Sequence, residues 1–324
     1  MNKMERFHAA VKGEAVDRVP MTFWLHFVTD ALDGAESARL HARLIREYDL
    51  DLAKVISDYR PKLAEGLETL ETKEDMLKIK VKDLSEREYQ EQFRLLRVMR
   101  ADFGDDVPVI DTSFDPIQQV LRLAGGEKRN IIFDNPKEAH LMLENVTETL
   151  CRYMRHIKSI GVDGVLYSTH AAITEASPAG VSDDIVKEFY HPYEKAVMDA
   201  MEGMVRIVHP CLTHLDMDRI LGYDFEVLSW WDRGTECPSL AEMRAKTDRC
   251  LMGGFDHAGV INRPLPKLQD EIFDALDQVD GRGIILSPGC TIYSQVPSRT
   301  LRTVRDAVDQ WSAANISGLR LAAQ

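Results

Sequence analysis

Val205-Arg-Ile-Val-His-Pro-Cys211 and Gly283-Ile-Ile-Leu-Ser-Pro-Gly-Cys290 are two apolar stretches that end in residue types able to bind metal. Each has the length and composition of a buried strand bounded by turn residues. His209 and Cys211 are two residues apart, so on an extended strand their side chains leave from the same face. These stretches decide the fold, because each predicts a strand whose carboxyl end carries polar chemistry.

Further apolar runs resemble these two and complete a series of eight predicted strands. The other six lie at residues 21–27, 52–57, 107–114, 164–170, 226–231 and 250–256. Helical segments are predicted at 35–48, 84–100, 136–160, 182–202, 216–221, from 239, 266–278 and 298–314. Strands that alternate with helices indicate right-handed parallel βαβ units, and eight such units predict an α/β protein with a (β/α)₈ TIM barrel.

An open doubly wound sheet is the alternative fold, but no glycine-rich fingerprint follows the first predicted strand. No internal repeat or low-complexity linker interrupts the chain, so residues 1–324 are predicted to form a single domain. A barrel of this length is routinely one domain.

Composition excludes several classes of function. The net charge of −13 argues against binding to nucleic acid or to an anionic membrane surface. No apolar run approaches the roughly 18 residues of a membrane span, and no signal-peptide core follows the N-terminus. The five cysteines are odd in number and irregularly spaced, which disfavours a disulfide framework. We therefore expect a cytoplasmic protein whose thiols are free to bind metal.

Polar residues gather at the predicted carboxyl ends of the strands, which in a TIM barrel form the active-site face. This set favours an enzyme, and it consists of His26, Asp58, Asp111, His170, His209, Cys211, Asp232, Asp256, His257 and Cys290.

His209, Cys211 and Cys290 are the candidate metal ligands. Three nitrogen and sulfur ligands with one open position are typical of a catalytic zinc site. Asp232 or Glu236 could fill the fourth position in the resting state. Bound zinc would hold a thiol as thiolate or polarise an oxygen. A cysteine at a strand end is also commonly a buried small hydrophobe, which is our interpretation of the other three cysteines.

Asp58, His26 and His170 are the candidate catalytic residues. Asp58 follows a buried strand and could donate or accept a proton, although a helix N-cap is the alternative role. His26 and His170 could contact substrate, or could simply be packed histidines.

Motifs along nearly the whole chain resemble the uroporphyrinogen decarboxylase superfamily. They lie at residues 13–20, 51–58, 107–116, 161–164, 177–178, 189–193, 253–256 and 287–290. The resemblance implies the (β/α)₈ barrel. True decarboxylases carry an Arg-Gln-Ala-Gly-Arg motif after the first strand and a histidine in a Gly-His-Gly turn after the last. Here residues 22–30 contain no arginine, Pro288-Gly-Cys290 occupies the last turn, and Asp58 alone matches their catalytic set.

Where it departs from true decarboxylases, the chain resembles the sister branch of zinc-dependent methyltransferases that work with corrinoid proteins. His209, Cys211 and Cys290 match the zinc ligands of that branch. The resemblance implies methyl transfer between a small molecule (a methoxy compound, methanol, a methylamine or a thiol) and the cobalamin of a separate corrinoid protein. Demethylation, as in an O-demethylase, is the favoured direction.

Two alternatives remain, and they belong to different classes. One is a metal-free, decarboxylase-like lyase that acts on a carboxylated substrate, and the other is a non-catalytic barrel that binds corrinoid or metal. A homo-oligomer is compatible with each of them.

Overall fold

Seven parallel strands form the centre of the fold. The computed structural model describes residues 1–316 apart from the Glu127 side chain, so residues 317–324 of the predicted single domain lie outside the described part. The strands are β1 Ala53–Lys54, β2 Val109–Phe114, β3 Gly164–Thr169, β4 Val205–Pro210, β5 Val227–Ser229, β6 Cys250–Phe255 and β7 Ile284–Pro288. They pair in chain order, each parallel to the next. The fold is thus an α/β half-barrel of the TIM type.

The predicted first strand, at residues 21–27, is wrong as a regular strand. Met21 makes one isolated parallel bridge to Leu286, and the described sheet has seven strands rather than the predicted eight. On the β1 side the Thr22 hydroxyl donates to the Leu52 carbonyl oxygen, so a side chain occupies an acceptor that a strand ladder would use. Backbone hydrogen bonds of this segment still reach Leu286 on one side and the Asp51 amide on the other.

Helices follow most of the strands. They are α1 Lys3–Val11, α2 Gly34–Glu47, α3 Lys73–Met76, α4 Arg87–Phe103, α5 Pro116–Ala124, α6 Arg129–Phe133, α7 Pro136–Ile160, α8 Asp183–Ile185, α9 His191–Ala200, α10 Leu240–Lys246, α11 Leu265–Asp277 and α12 Ser298–Asn315. Short 3₁₀ helices lie at Gly126–Lys128 and Met217–Arg219. No helix in the described residues is long and apolar enough to cross a membrane.

Local sequence signals explain where the helices begin and end. Pro136 opens α7 at a position where its missing N–H is not needed, and Gly161 ends the helix in the left-handed conformation with φ 93°. The predicted helix at 182–202 is divided by a π-helix at Val186–Tyr190. The predicted helix at 216–221 is only the 3₁₀ turn Met217–Arg219, so it was overestimated.

Two apolar layers hold the sheet, because successive strand residues face opposite sides. Inside the curve of the sheet, Ile110, Leu166 and Ile207 pack with Trp24. Their neighbours along the strands pack against the helices in a larger core. The inward series on β1 is Leu52, Lys54 and Ile56, which places a lysine among apolar side chains.

Candidate metal centre

The structure brings His209, Cys211 and Cys290 together. One ligand atom from each residue lies within 4.8 Å of the others, and we call these three residues the metal cluster. Register explains the first half of the cluster: His209 pairs with Ser168 of β3, and the Cys211 amide donates to the Thr169 carbonyl oxygen at 3.1 Å. The parallel strands end at one edge, so residues 79 positions apart in sequence (290 − 211) meet there.

The turn that carries Cys290 is fixed by a close backbone approach. The Gly289 amide donates to the Phe255 carbonyl oxygen at 3.1 Å. A Cβ added at Gly289 would lie 2.5 Å from the Trp231 ring, which is closer than van der Waals contact allows. Glycine is therefore required for this turn to pack on Trp231 and present Cys290.

A hydrogen bond between the sulfurs of Cys211 and Cys290 shifts the pKa values of the two thiols in opposite directions. The hydrogen bond from Cys211 and that from His209 hold the pKa of the Cys290 thiol well below its usual range, although burial opposes them. The pKa of Cys211 is correspondingly raised, first by its hydrogen bond to Cys290 and then by burial. The hydrogen bond between the two sulfurs thus favours a thiolate within the cluster. A thiolate beside imidazole is the form that binds soft cations.

The His209 imidazole is oriented by a serine that the sequence interpretation missed. Its Nδ1 lies 3.1 Å from the Ser229 Oγ at the end of β5. His209 is 3% exposed, so the ring has little freedom to turn. A hydrogen bond to one ring nitrogen fixes the orientation and leaves the other for a metal. The predicted strand at residues 226–231 could have suggested Ser229, because alternation puts Ser229 on the same inward face as Val227.

The donor set fits zinc. Two thiolates and a neutral imidazole are soft or borderline ligands, and together they balance the charge of a divalent ion. Within the described residues, no other group of three or more ligand-type side chains lies as close together. The remaining cysteines lie elsewhere and are free thiols.

Asp232 and Glu236, the predicted fourth ligands, do not belong to the metal cluster. Asp232 accepts a hydrogen bond from the Gly254 amide at 2.9 Å and pairs with Arg233 at 3.1 Å. The Glu236 carboxylate is mostly exposed and lies 4.0 Å from His214. Either carboxylate would have to move in order to reach a bound ion.

His26 and Asp58 form one pair, with His26 Nδ1 2.6 Å from a carboxylate oxygen of Asp58. Burial raises the pKa of Asp58, but the hydrogen bond and charge of His26 outweigh it and the pKa is lowered. The His26 side chain is 44% exposed, whereas that of Asp58 is 8% exposed. Asp58 caps no helix, so the alternative role predicted for it is not what the structure shows.

His170 lies apart from that pair, with its Nε2 2.9 Å from the Gln118 amide nitrogen. Burial, with the charges of Arg129 and His209, lowers its pKa to about 4. His170 is therefore neutral at physiological pH, and it can exchange a proton only as a weak base.

Lys54 is the principal residue that the sequence interpretation missed. It is 4% exposed, and its ammonium lies 4.4 Å from the centre of the Trp24 ring. It has no ion-pair partner within 4.0 Å among the described residues, while the charges of Cys290, Asp111 and Asp58 act on it. Burial lowers its pKa to about 7. A lysine inside the apolar run Leu52-Ala-Lys-Val-Ile was the available signal, since an unpaired buried lysine is rare.

Two other predicted strand-end residues have structural roles. Asp111 faces the helices and accepts hydrogen bonds from the Tyr153 hydroxyl at 2.7 Å and from Gln92 at 2.9 Å. His257 packs edge-on against Trp231, with ring centres 4.4 Å apart. The charge of Cys290 acts on His257, so this histidine borders the metal cluster without belonging to it.

The fold and the cluster define an α/β protein of the TIM type with a candidate metal centre at its strand ends. Comparison with known families then gives its relationship: the family model for uroporphyrinogen decarboxylase (URO-D) matches residues 53–311. The chain belongs to the uroporphyrinogen decarboxylase family, as its motifs predicted.

Two curated relatives represent both branches of that family. A methylcobamide:CoM methyltransferase of Methanosarcina acetivorans is 21% identical over 240 residues, which is 71% of this chain and 66% of that protein. A uroporphyrinogen decarboxylase of Christiangramia forsetii is 20% identical over 230 residues, covering 68% of this chain and 64% of that protein. The chain thus matches about two thirds of the length of each relative.

Solved structures share the fold. A methyltransferase from Methanosarcina mazei superimposes with a TM-score of 0.77 at 18% identity, over 96% of this chain and 99% of that one. A B12-independent methionine synthase from Shewanella gives a TM-score of 0.56 at 14% identity, over 95% of each chain. These likenesses confirm a TIM-type α/β architecture.

Proposed function

We propose that this chain is a zinc-dependent methyltransferase that moves a methyl group between a small molecule and the cobalamin of a separate corrinoid protein. The observation that carries the proposal is the metal cluster, with three ligand atoms within 4.8 Å at the strand ends. Homology supports an enzyme of the methyltransferase class, since one relative is named a methylcobamide:CoM methyltransferase. A metal-free lyase is not favoured, because residues 22–30 lack arginine and Cys290 stands in the last turn.

His209, Cys211 and Cys290 would hold the ion and leave one position for the substrate heteroatom. When bound, zinc supplies a Lewis acid that lowers the pKa of a thiol or polarises an oxygen. We retain Asp232 or Glu236 as exchangeable fourth ligands of the resting enzyme. The small molecule belongs to the methoxy, methanol, methylamine or thiol class, and demethylation is the proposed direction.

The chain's own residues supply orientation and proton handling. Ser229 holds the His209 ring, so the nitrogen that faces the cluster is fixed before substrate arrives. The Asp58 carboxylate and the His26 imidazole are close enough to exchange a proton, and the half-exposed His26 can pass it to solvent. His170, neutral and buried, would contact the substrate as a hydrogen-bonding group.

Several further expectations belong to the same proposal. We propose that residues 21–27 extend the bridge at Met21 and close an eight-stranded barrel. We also propose that residues 1–324 form a single domain. We also propose that the protein acts in the cytoplasm, that its partners are a corrinoid protein and a small molecule rather than nucleic acid or a membrane, and that it could form a homo-oligomer.

Methyl transfer can be followed in the visible spectrum of free cobalamin. With the zinc-loaded protein, we expect cob(I)alamin to be converted to methylcobalamin on addition of a methoxybenzene, methanol or methylamine, or the reverse conversion with methylcobalamin and 2-mercaptoethanol. Cys290→Ser should abolish the change, whereas Cys237→Ser, a thiol outside the cluster, should retain it. Equal rates in the two variants would contradict the proposal.

A further inference from the structure

A separate cavity lies beside the ends of β1 and β2, between the loop after β1 and helices α4, α5 and α7. It is partly open to solvent. None of His209, Cys211 and Cys290 lines it. We call it the basic cavity, and it is defined by the cations at its wall: Arg60, Lys62, Lys80, Lys82 and Arg122.

The charge of the basic cavity is opposite to that of the whole chain. Five cations line it against one carboxylate, Glu88, in a protein whose net charge is −13. Lys82 is neutralised by an ion pair with Glu86. Across residues 1–316, the other four cations have no ion-pair partner within 4.0 Å. Like charges that outnumber their counter-charges, here Glu88 in the wall and the nearby Asp58, destabilise a site until an anion binds.

Of the four cations that lack an ion pair within residues 1–316, Arg122 is the least exposed to solvent. Its guanidinium lies 3.5 Å from the centre of the Phe114 ring, and the residue is half-buried, whereas Arg60, Lys62 and Lys80 are exposed. Burial, followed by the charge of Arg60, lowers its pKa to about 10. Arginine presents a planar fork of donors that matches a carboxylate, and such charge-assisted hydrogen bonds are the strong ones.

Apolar and aromatic side chains make up part of the remaining wall, together with neutral polar residues such as Ser113 and Thr149. Ile79, Phe114, Val120 and Leu150 contribute to this surface. Pockets for small molecules combine such apolar walls with a few convergent polar groups.

We propose that the basic cavity binds a small organic anion of the carboxylate class, held by Arg122 and Arg60 and enclosed by the apolar wall beside Phe114. This site goes beyond the proposed methyl transfer and does not depend on it. Ser57 and Tyr59 line the basic cavity on either side of Asp58 in sequence. The bound anion would therefore contact the segment that carries the proposed proton donor.

Calorimetric titration with benzoate tests the charge requirement, and benzamide serves as the neutral probe of the same shape. We expect benzoate to bind at least about tenfold more tightly, because a carboxylate accepts two charge-assisted hydrogen bonds from the arginine fork, whereas the benzamide carbonyl is a neutral acceptor. Zinc-free His209→Ala protein should bind benzoate as the wild type does. Loss of binding in that variant would instead place the benzoate at the metal cluster and overturn the proposal.

Variants locate the site. Arg122→Met keeps the apolar stem and should weaken benzoate binding roughly tenfold. Arg43→Met, at an exposed arginine that also lacks an ion pair, should have no effect. Lys62→Gln with Lys80→Gln changes only exposed side chains, so it should fold normally and weaken binding by a smaller factor. Three outcomes would each refute the proposal. Benzoate and benzamide could bind equally, or Arg122→Met and Arg43→Met could have equal effects. The third outcome is no saturable binding of benzoate or cyclohexanecarboxylate up to about 10 mM.

Discussion

The ends of β4 and β7 and the ends of β1 and β2 present opposite chemistry. At β4 and β7, two thiols and an imidazole converge, and Ser229 supports the imidazole. Beside the ends of β1 and β2, the basic cavity gathers four cations that have no ion-pair partner within 4.0 Å among residues 1–316. One region is arranged to receive a cation and the other to receive an anion. On these two proposals, one set of strand ends would bind ligands of opposite charge at separate places.

The largest expected effect is loss of a cluster ligand. His209→Ala should lower zinc affinity by roughly 4 kcal/mol, or about a thousandfold, because one of three protein ligands is lost from a site class that binds with about 10 kcal/mol or more. Competition with a chromophoric chelator measures this. His214→Ala is the matched control, since His214 bonds Thr213 outside the cluster. A similar loss of zinc affinity in both variants would contradict the claim that His209, and not His214, binds the zinc.

The next effect concerns Lys54, whose pKa in the folded protein is lowered to about 7 by burial. An unfolded lysine keeps its proton up to about pH 10, so the unfolded chain binds more protons and stability rises between these two values. Lys54→Met lacks this titration. We expect the stability advantage of the variant to shrink by about 2 kcal/mol between about pH 7 and pH 9.

Urea unfolding at the two pH values checks the sign for Lys54. If Lys54→Met and the wild type had parallel pH profiles, the lysine would not be buried as a desolvated cation.

A smaller effect is expected from Ser229→Ala. Removing the group that holds the His209 ring should lower zinc affinity about tenfold, because outer partners of metal ligands commonly contribute that much. The far-ultraviolet circular dichroism should stay unchanged. Ser229→Thr keeps a hydroxyl, and it should restore most of the affinity if orientation is the reason.

The smallest effect is expected for the two carboxylates outside the cluster. Neither Asp232→Asn nor Glu236→Gln should change the zinc stoichiometry, because three ligands remain in place and the fourth position is exchangeable. Mass spectrometry of the native protein counts the bound ions. Loss of zinc in either variant would show that the carboxylate is a permanent ligand.

Sequence reasoning was most accurate where long strands are buried on both faces. The register of β3 and β4 follows from continuous apolar runs, and the carboxyl-end rule then places His209 and Cys211 correctly. Cys290 followed from the same rule. Around β1, which has only Ala53 and Lys54 in regular pairing, side-chain hydrogen bonds such as that of Thr22 replace the ladder.

Long-range contacts account for what the sequence did not show. The pairing of His26 with Asp58 joins two loops, and neither loop predicts the approach of the other. Lys54 lacks an ion-pair partner among the described residues because of the side chains that surround it in the fold, and the pattern of apolar residues in the sequence does not show which side chains these are. The basic cavity likewise collects cations from distant segments, so no local charge run marks it.

Zinc K-edge X-ray absorption of the purified protein tests the central claim most directly. We predict two sulfur neighbours at about 2.3 Å and nitrogen or oxygen neighbours at about 2.0–2.1 Å. Cys211→Ser should remove one sulfur neighbour, whereas Cys237→Ser should leave the spectrum unchanged. A zinc shell without sulfur, or a spectrum that Cys211→Ser does not alter, would contradict a metal centre built on His209, Cys211 and Cys290.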